Sequence, residues 1–127
     1  MDTPIRVVVV EDNEVFREAL ELLLGLRDDM EVVASVADGI DAAGAAAELR
    51  PDVVVMDYRL PGMDGVQATR AVLAACPETS VVCLTASANL RERDALVEGG
   101  AAAFLRKDDG LDTIVTAIRD AARTRAA

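Results

Sequence analysis

Glu11, Asp12 and Asp57 carry carboxylates, Thr85 a hydroxyl and Lys107 an ammonium, and each stands directly behind a short apolar run. The runs are Ile5 to Val10, Val53 to Met56, Val81 to Leu84 and Ala103 to Arg106. Three carboxylates gathered in one place repel one another and attract a hard divalent cation. Mg2+ takes oxygen ligands, keeps several waters and often binds together with a phosphate. Beside such an ion a carboxylate can attack phosphorus, while a Lys and a Thr hold the oxygens of the group being transferred. Each residue also has a plainer role. Glu11 and Asp12 can cap the following helix and oppose its dipole, worth roughly 0.5–2 kcal/mol. Asp57 can be a turn residue, Thr85 a strand-end hydroxyl turn and Lys107 a solvated loop lysine. These plain roles are mutually independent: a turn acid after one run does not entail a lysine after another.

Composition narrows the chemistry further. The 127 residues hold 13 Lys+Arg against 23 Asp+Glu, a formal net charge of −10, with no His and no Trp. A free-standing nucleic-acid binder needs a basic footprint, and this chain has the opposite sign. Imidazole metal sites, Ser-His-Asp and Cys-His catalysis, and phosphohistidine donation all require a residue that is absent. The apolar fraction of 52% supports a folded core, and the 2% aromatic content makes that core aliphatic. No apolar run reaches the length of a membrane span. The start, Met1-Asp2-Thr3-Pro4, lacks the basic segment of a signal peptide, so a cytoplasmic protein is expected. Cys76 and Cys83 match no metal or redox spacing and read as free, buried thiols.

The elements that must position the five side chains follow from the apolar period. Ile5–Val10, Glu31–Val36, Val53–Met56, Val81–Leu84 and Ala103–Arg106 read as strands. Helices are expected over Asn13–Leu26, with Asp12 or Asn13 as its cap, and over Asp41–Arg50, Val66–Ala75, Leu90–Glu98 and Leu111–Arg123. Tyr58 to Gly65 reads as a loop. Strict alternation with short connections implies one α/β domain, a parallel sheet covered on both faces. Five such strands fit the flavodoxin-like order 2-1-3-4-5, whose ligands sit at the carboxyl ends of the strands. That is where all five reactive groups fall.

At this point the sequence resembles a bacterial response-regulator receiver domain over nearly its whole length, with domain bounds near residues 4–125. The resemblance rests on Val7-Val8-Val9-Val10-Glu11-Asp12-Asn13, on Asp57-Tyr58-Arg59-Leu60-Pro61-Gly62-Met63-Asp64-Gly65, on Leu84-Thr85-Ala86 and on Gly100 to Lys107. The continuation Lys107-Asp108-Asp109 is most similar to the LuxR/NarL type, which usually carries a C-terminal helix-turn-helix domain. The resemblance implies that Asp57 accepts a phosphoryl group from a sensor histidine kinase. It implies that Asp12 ligates Mg2+ directly, Glu11 mainly through water, and Asp57 and the Arg59 carbonyl complete the protein ligands. Lys107 and Thr85 would each hold a phosphoryl oxygen. Phe104 would turn inward as Thr85 moves, although an ordinary core aromatic is the plainer reading. Arg59 and Ser87, each two residues past a site residue, would border the route of attacking water. Asp108 departs from the Pro found there in many receivers, which leaves the geometry of the Lys107–Asp108 peptide open.

The resemblance also implies homodimerisation on phosphorylation and partner contacts through helices 4 and 5 or 1 and 5. Leu90, Ala95, Leu96, Ile114, Ile118 and Ala121 lie in that region and read mostly as core. Neither nucleic acid nor membrane is expected to bind this domain itself. Whether the chain is an excised receiver of a transcription regulator or a stand-alone one is open. The rival class is an Mg2+-dependent aspartyl-nucleophile phosphohydrolase of the haloacid-dehalogenase kind. It needs an acid two residues past the nucleophile, where this chain has Arg59. No Gly-x-Gly-x-x-Gly follows the first strand, which disfavours a dinucleotide site. A degenerate receiver is disfavoured because all five site residues are present.

Overall fold

Val7, Val9, Val53, Val55, Val82 and Leu84 point to one side of the sheet, and Val8, Val10, Val54, Met56, Val81 and Cys83 to the other. Period-two alternation with apolar residues on both faces demands two covering layers. The computed structural model describes residues 3–86 and 89–126 and has that form. The sheet strands are β1 (Ile5–Val10), β2 (Met30–Val36), β3 (Val53–Asp57), β4 (Ser80–Thr85) and β5 (Ala103–Arg106). The helices are α1 (Glu14–Gly25), α2 (Gly39–Leu49), α3 (Gly65–Ala75), α4 (Leu90–Glu98) and α5 (Leu111–Ala126). All strands are parallel, in the order β2-β1-β3-β4-β5 that the alternation led us to expect.

Leu20 and Leu24 of α1 and Ile114, Val115 and Ile118 of α5 close one face. Ala42 and Ala46 of α2, Ala68 and Val72 of α3 and Leu96 of α4 close the other. The small alanines let α2 and α3 approach the sheet and each other closely. The three central strands are almost wholly buried, whereas the edge strands β2 and β5 are mostly half-buried. Each fully buried valine contributes about 1.5–3 kcal/mol of apolar transfer.

Short polar side chains fix where the helices start. Asn13 caps α1, its Oδ1 accepting from Phe16 N–H at 3.0 Å, so Asp12 is left out of the cap. Asp38 caps α2, and Asp64 forms a reciprocal capping box with Gln67 at the start of α3. The segment read as a plain loop after Asp57 is more ordered than that. Arg59–Leu60 and Met63–Asp64 form a two-residue antiparallel ladder turned by Gly62 at φ 72°. Hairpin pairs this short carry no periodicity that a sequence can display.

One other expectation is corrected. Leu90 is 69% exposed rather than core, while Leu96, Ile114, Ile118 and Ala121 are buried as read. On α1 the apolar stripe is wider than the face the sheet can cover, so Val15, Leu22, Leu23 and Leu26 stay exposed. Among the described residues no helix is long and apolar enough to cross a membrane.

Gly65 sets how tightly the segment after Asp57 folds back. A Cβ there would stand 2.9 Å from Tyr58 Cα and 2.8 Å from its ring. Backbone at that range cannot yield cheaply. Gly65→Ala is therefore expected to lower unfolding free energy by about 1–3 kcal/mol, read as a reduced urea midpoint at unchanged slope.

Candidate functional site

The carboxyl ends of β1 and β3 lie side by side in the sheet, which brings Glu11 and Asp12 next to Asp57. One carboxylate oxygen from each of the three falls within 4.8 Å of the others. Asp12 is exposed, but Glu11 and Asp57 are only 2% and 7% accessible. Lys107, the first residue past β5, reaches back across the strand ends. Its Nζ stands 2.5 Å from Glu11 Oε1 and 3.3 Å from Asp57 Oδ2. The reading of Lys107 as a solvated loop residue is thus excluded.

Local hydrogen bonds hold the acids in place. Glu11 Oε2 accepts from Asn13 N–H at 3.0 Å, so Glu11 supports the start of α1 as well as facing the cluster. Arg17 Nη1 donates to the Glu11 carbonyl at 2.9 Å. Asp57 Oδ1 lies 3.4 Å from Arg59 N–H, a long contact that, among the described residues, leaves most of its accepting capacity unused. The Asp57 strand is pinned from β4, where Tyr58 N–H donates to Leu84 carbonyl at 2.8 Å. Thr85 follows as the last residue of β4, 1% accessible. Phe104 on β5 is paired in register with Cys83 and packs half-buried on the α3 and α4 side. The Lys107–Asp108 peptide, left open by the missing Pro, is trans and opens a short 3-10 turn over Lys107–Asp109. Ser87 lies outside the described residues.

The electrostatics follow from this packing. Burial works against the Lys107 ammonium. Its contact with Glu11 and the charges of Asp57 and Glu11 outweigh that, and its pKa stands above the ordinary lysine value. Lys107 is a fixed cation at neutral pH. Three carboxylates against one ammonium leave a formal excess of −2. The donor set, oxygen only and short by two positive charges, fits a hard divalent ion such as Mg2+. Burial, helped by the Asp57 charge, pushes the neighbouring Cys83 thiol up to about 12, and a Thr69 hydrogen bond opposes that rise.

Two residues near the site were not singled out by sequence. Phe16 lies under Lys107, the ammonium 4.6 Å from its ring centroid. Its helical spacing marked it only as apolar. Glu92 on α4 pairs with Arg59 at 3.5 Å, a contact between segments 33 residues apart that no local pattern signals.

The family described as the response regulator receiver domain matches residues 7–119. The chain belongs to that family. The transcriptional regulatory protein LnrK of Bacillus subtilis is 36% identical over 114 residues, covering 90% of this chain and 52% of LnrK. The response regulator GacA of Pseudomonas viridiflava is 37% identical over 115 residues, 91% of this receiver domain and 54% of GacA. The chain spans about half the length of the curated relatives it matches. Among solved structures, the signal receiver domain of the putative response regulator NarL from Mycobacterium tuberculosis superposes with TM-score 0.90 at 36% identity. That match covers 96% of this chain and 98% of the other. A LuxR-family regulator from Aurantimonas gives TM-score 0.91 at 29% identity, covering 97% and 88%. The LuxR/NarL likeness and the flavodoxin-like fold both hold. Receiver domains bind Mg2+ at an acidic pocket, and this one has the acidic cluster for it.

Three measurements check this description. Cys76 and Cys83 are both buried, and the Cys83 thiol stays protonated far above its ordinary value near 9. Neither should react with a thiol-specific disulfide reagent at pH 8 in native protein, while both react in urea. The raised value also fixes a sign: as pH climbs from about 9 toward 12 the unfolded chain loses the Cys83 proton first, so stability falls with rising pH. Millimolar Mg2+ should raise the thermal midpoint by about 2–5 °C through linkage. Asp12→Asn, which removes a cluster carboxylate with no capping duty, should abolish most of that rise.

Proposed function

We propose that this receiver domain, acting as a unit over residues 4–125, takes a phosphoryl group on Asp57 from the phosphohistidine of a sensor kinase. The observation that carries the reading is the placement of a buried Asp57 between two further carboxylates and the Lys107 ammonium. In the transfer an Asp57 oxygen forms a bond to phosphorus as the donor's P–N bond breaks, and water later cleaves the resulting acyl phosphate. Glu11, Asp12, Asp57 and the Arg59 carbonyl would hold Mg2+, which when bound supplies positive charge to the phosphoryl oxygens. Lys107, whose ammonium lies 3.3 Å from Asp57 Oδ2, would pair with one of those oxygens. Thr85, beside Asp57 on the adjoining strand, offers its hydroxyl to another. Charge drawn to that point would shift Thr85 and let Phe104, already only half-buried, pack inward.

The chain contains no His, so it can receive from a phosphohistidine but cannot supply one. Its role is a signalling one, with catalysis confined to its own phosphorylation and dephosphorylation. Relatives described as transcriptional regulators are about twice as long as the matched region. This supports output through a helix-turn-helix domain in a longer regulator. Arg59, two residues past Asp57 and with an exposed side chain, would border the approach of attacking water.

Incubation with Mg2+ and acetyl phosphate should add the mass of one phosphoryl group to the intact chain. Asp57→Asn should show no gain, and neither should wild type in excess chelator. No gain in wild type with Mg2+, or an undiminished gain in Asp57→Asn, would defeat the reading.

A further inference from the structure

Glu92 occupies an uneasy position. The first turn of α4 is pinned by Asn89, whose Oδ1 accepts from Arg91 N–H at 2.9 Å and Glu92 N–H at 3.2 Å. That turn directs Glu92 inward, toward the Asp57 segment. Its side chain is only 15% accessible, and its Oε1 is enclosed without a hydrogen-bond donor among the described residues. A carboxylate so enclosed needs a counter-charge. Among the described residues Arg59 supplies it, Nη2 to Oε2 at 3.5 Å.

Arg59 is also the residue whose N–H faces Asp57 Oδ1, and its guanidinium lies 5.9 Å from the Tyr58 ring centroid. Its side chain is 72% accessible, so it is free to change rotamer. A phosphoryl group on Asp57 would bring about −1.5 to −2 of charge and three strong acceptor oxygens. Arginine is the side chain best shaped to bind such oxygens. One mobile cation would then face two anions, one on α4 and one at the acceptor.

We propose that Glu92 is a positioning residue for the phosphorylation site: it holds Arg59 on α4 while Asp57 is unmodified and yields it to the phosphoryl group afterwards. The inference rests on the phosphoacceptor reading and deepens it. Two consequences follow from charge balance. The lifetime of the acyl phosphate depends on residue 92, and it does so through Arg59. The departure of Arg59 leaves an enclosed carboxylate without a counter-charge among the described residues, so the first turn of α4 must rearrange to reach water. Phosphorylation at the end of β3 is thereby felt at α4 without a chain of intervening contacts.

The test is the acyl-phosphate half-life, followed by phosphorus NMR after removal of acetyl phosphate, in wild type, E92Q, R59A and the double variant. With Glu92 neutral, Arg59 stays over the phosphoryl oxygens and shields them from water. E92Q should lengthen the half-life by about 3–10-fold, R59A should shorten it, and E92Q should have no further effect in the R59A background. E92D, which keeps the charge but withdraws it by one methylene, serves should E92Q fold poorly, and should act in the same direction. The Arg59 Nε resonance of unphosphorylated protein should shift in E92Q, a signature that a merely structural Glu92 would not give. Half-lives equal to wild type in both Glu92 variants, or an equal fold-change with and without Arg59, would overturn the inference alone. Failure of wild type to take up any phosphoryl group would instead overturn the phosphoacceptor reading beneath it.

Discussion

Two carboxylates that the fold keeps from water, Glu11 and Asp57, stand together with a third and share one ammonium. Like charges at this range and depth are costly, several kcal/mol for each ion that burial strips of solvent. The sheet tolerates the cost because it falls at the strand ends, where the aliphatic core stops. β1 and β3 are neighbours, so their terminal acids cannot avoid each other, and β5 delivers Lys107 from two strands away. The remaining structure serves that meeting point. Valine-rich strands set the register, Asn13 starts α1 without using Asp12, and Gly65 lets the segment after Asp57 turn back at once. The acid excess left over after Lys107 is what makes the site receptive to a divalent cation.

Much of this was legible in the sequence, for physical reasons that differ between elements. The strands showed themselves because buried parallel strands are unbroken apolar runs, and the helices because one-sided burial imposes a 3.6-residue period. Placing acids at the ends of those runs was enough to bring Glu11, Asp12 and Asp57 together. The fourth helix was read in place, but its first residue, Leu90, was not, because one face of a nine-residue helix can stay uncovered. On α1, spacing identified an apolar side, yet only packing decides how much of it the sheet can reach. The hairpin at Arg59–Leu60 and Met63–Asp64 was hidden, since two-residue ladders leave no pattern.

The contacts that tie the site to the rest of the molecule were the least legible. Phe16 beneath Lys107 and Glu92 beside Arg59 are pairings across different elements, and each residue has an ordinary local explanation. Phe16 fits an amphipathic helix, and Glu92 fits the acid-rich first turn favoured by the helix dipole. Only the fold shows that both lie against the two cations flanking Asp57. These cations have different freedom. Lys107 is largely enclosed and bound to two acids, so it acts as a fixed charge. Arg59 is mostly exposed and bound to one, so it can be redistributed.

That difference bears on how a single covalent change is transmitted. A phosphoryl group of about −1.5 to −2 replacing a carboxylate of −1 alters a chain of net charge −10 very little. Long-range repulsion is screened over about 8–10 Å in physiological salt, so bulk charge is a poor messenger. A local transfer of counter-ions is a better one. Every cation drawn to the acceptor is withdrawn from another anion, and an anion enclosed by protein cannot compensate with water. The strain would then appear where the cation left, at the start of α4. In the mechanism proposed above, the shortage of positive charge at the strand ends would both create the cation site and carry the state of the acceptor outward.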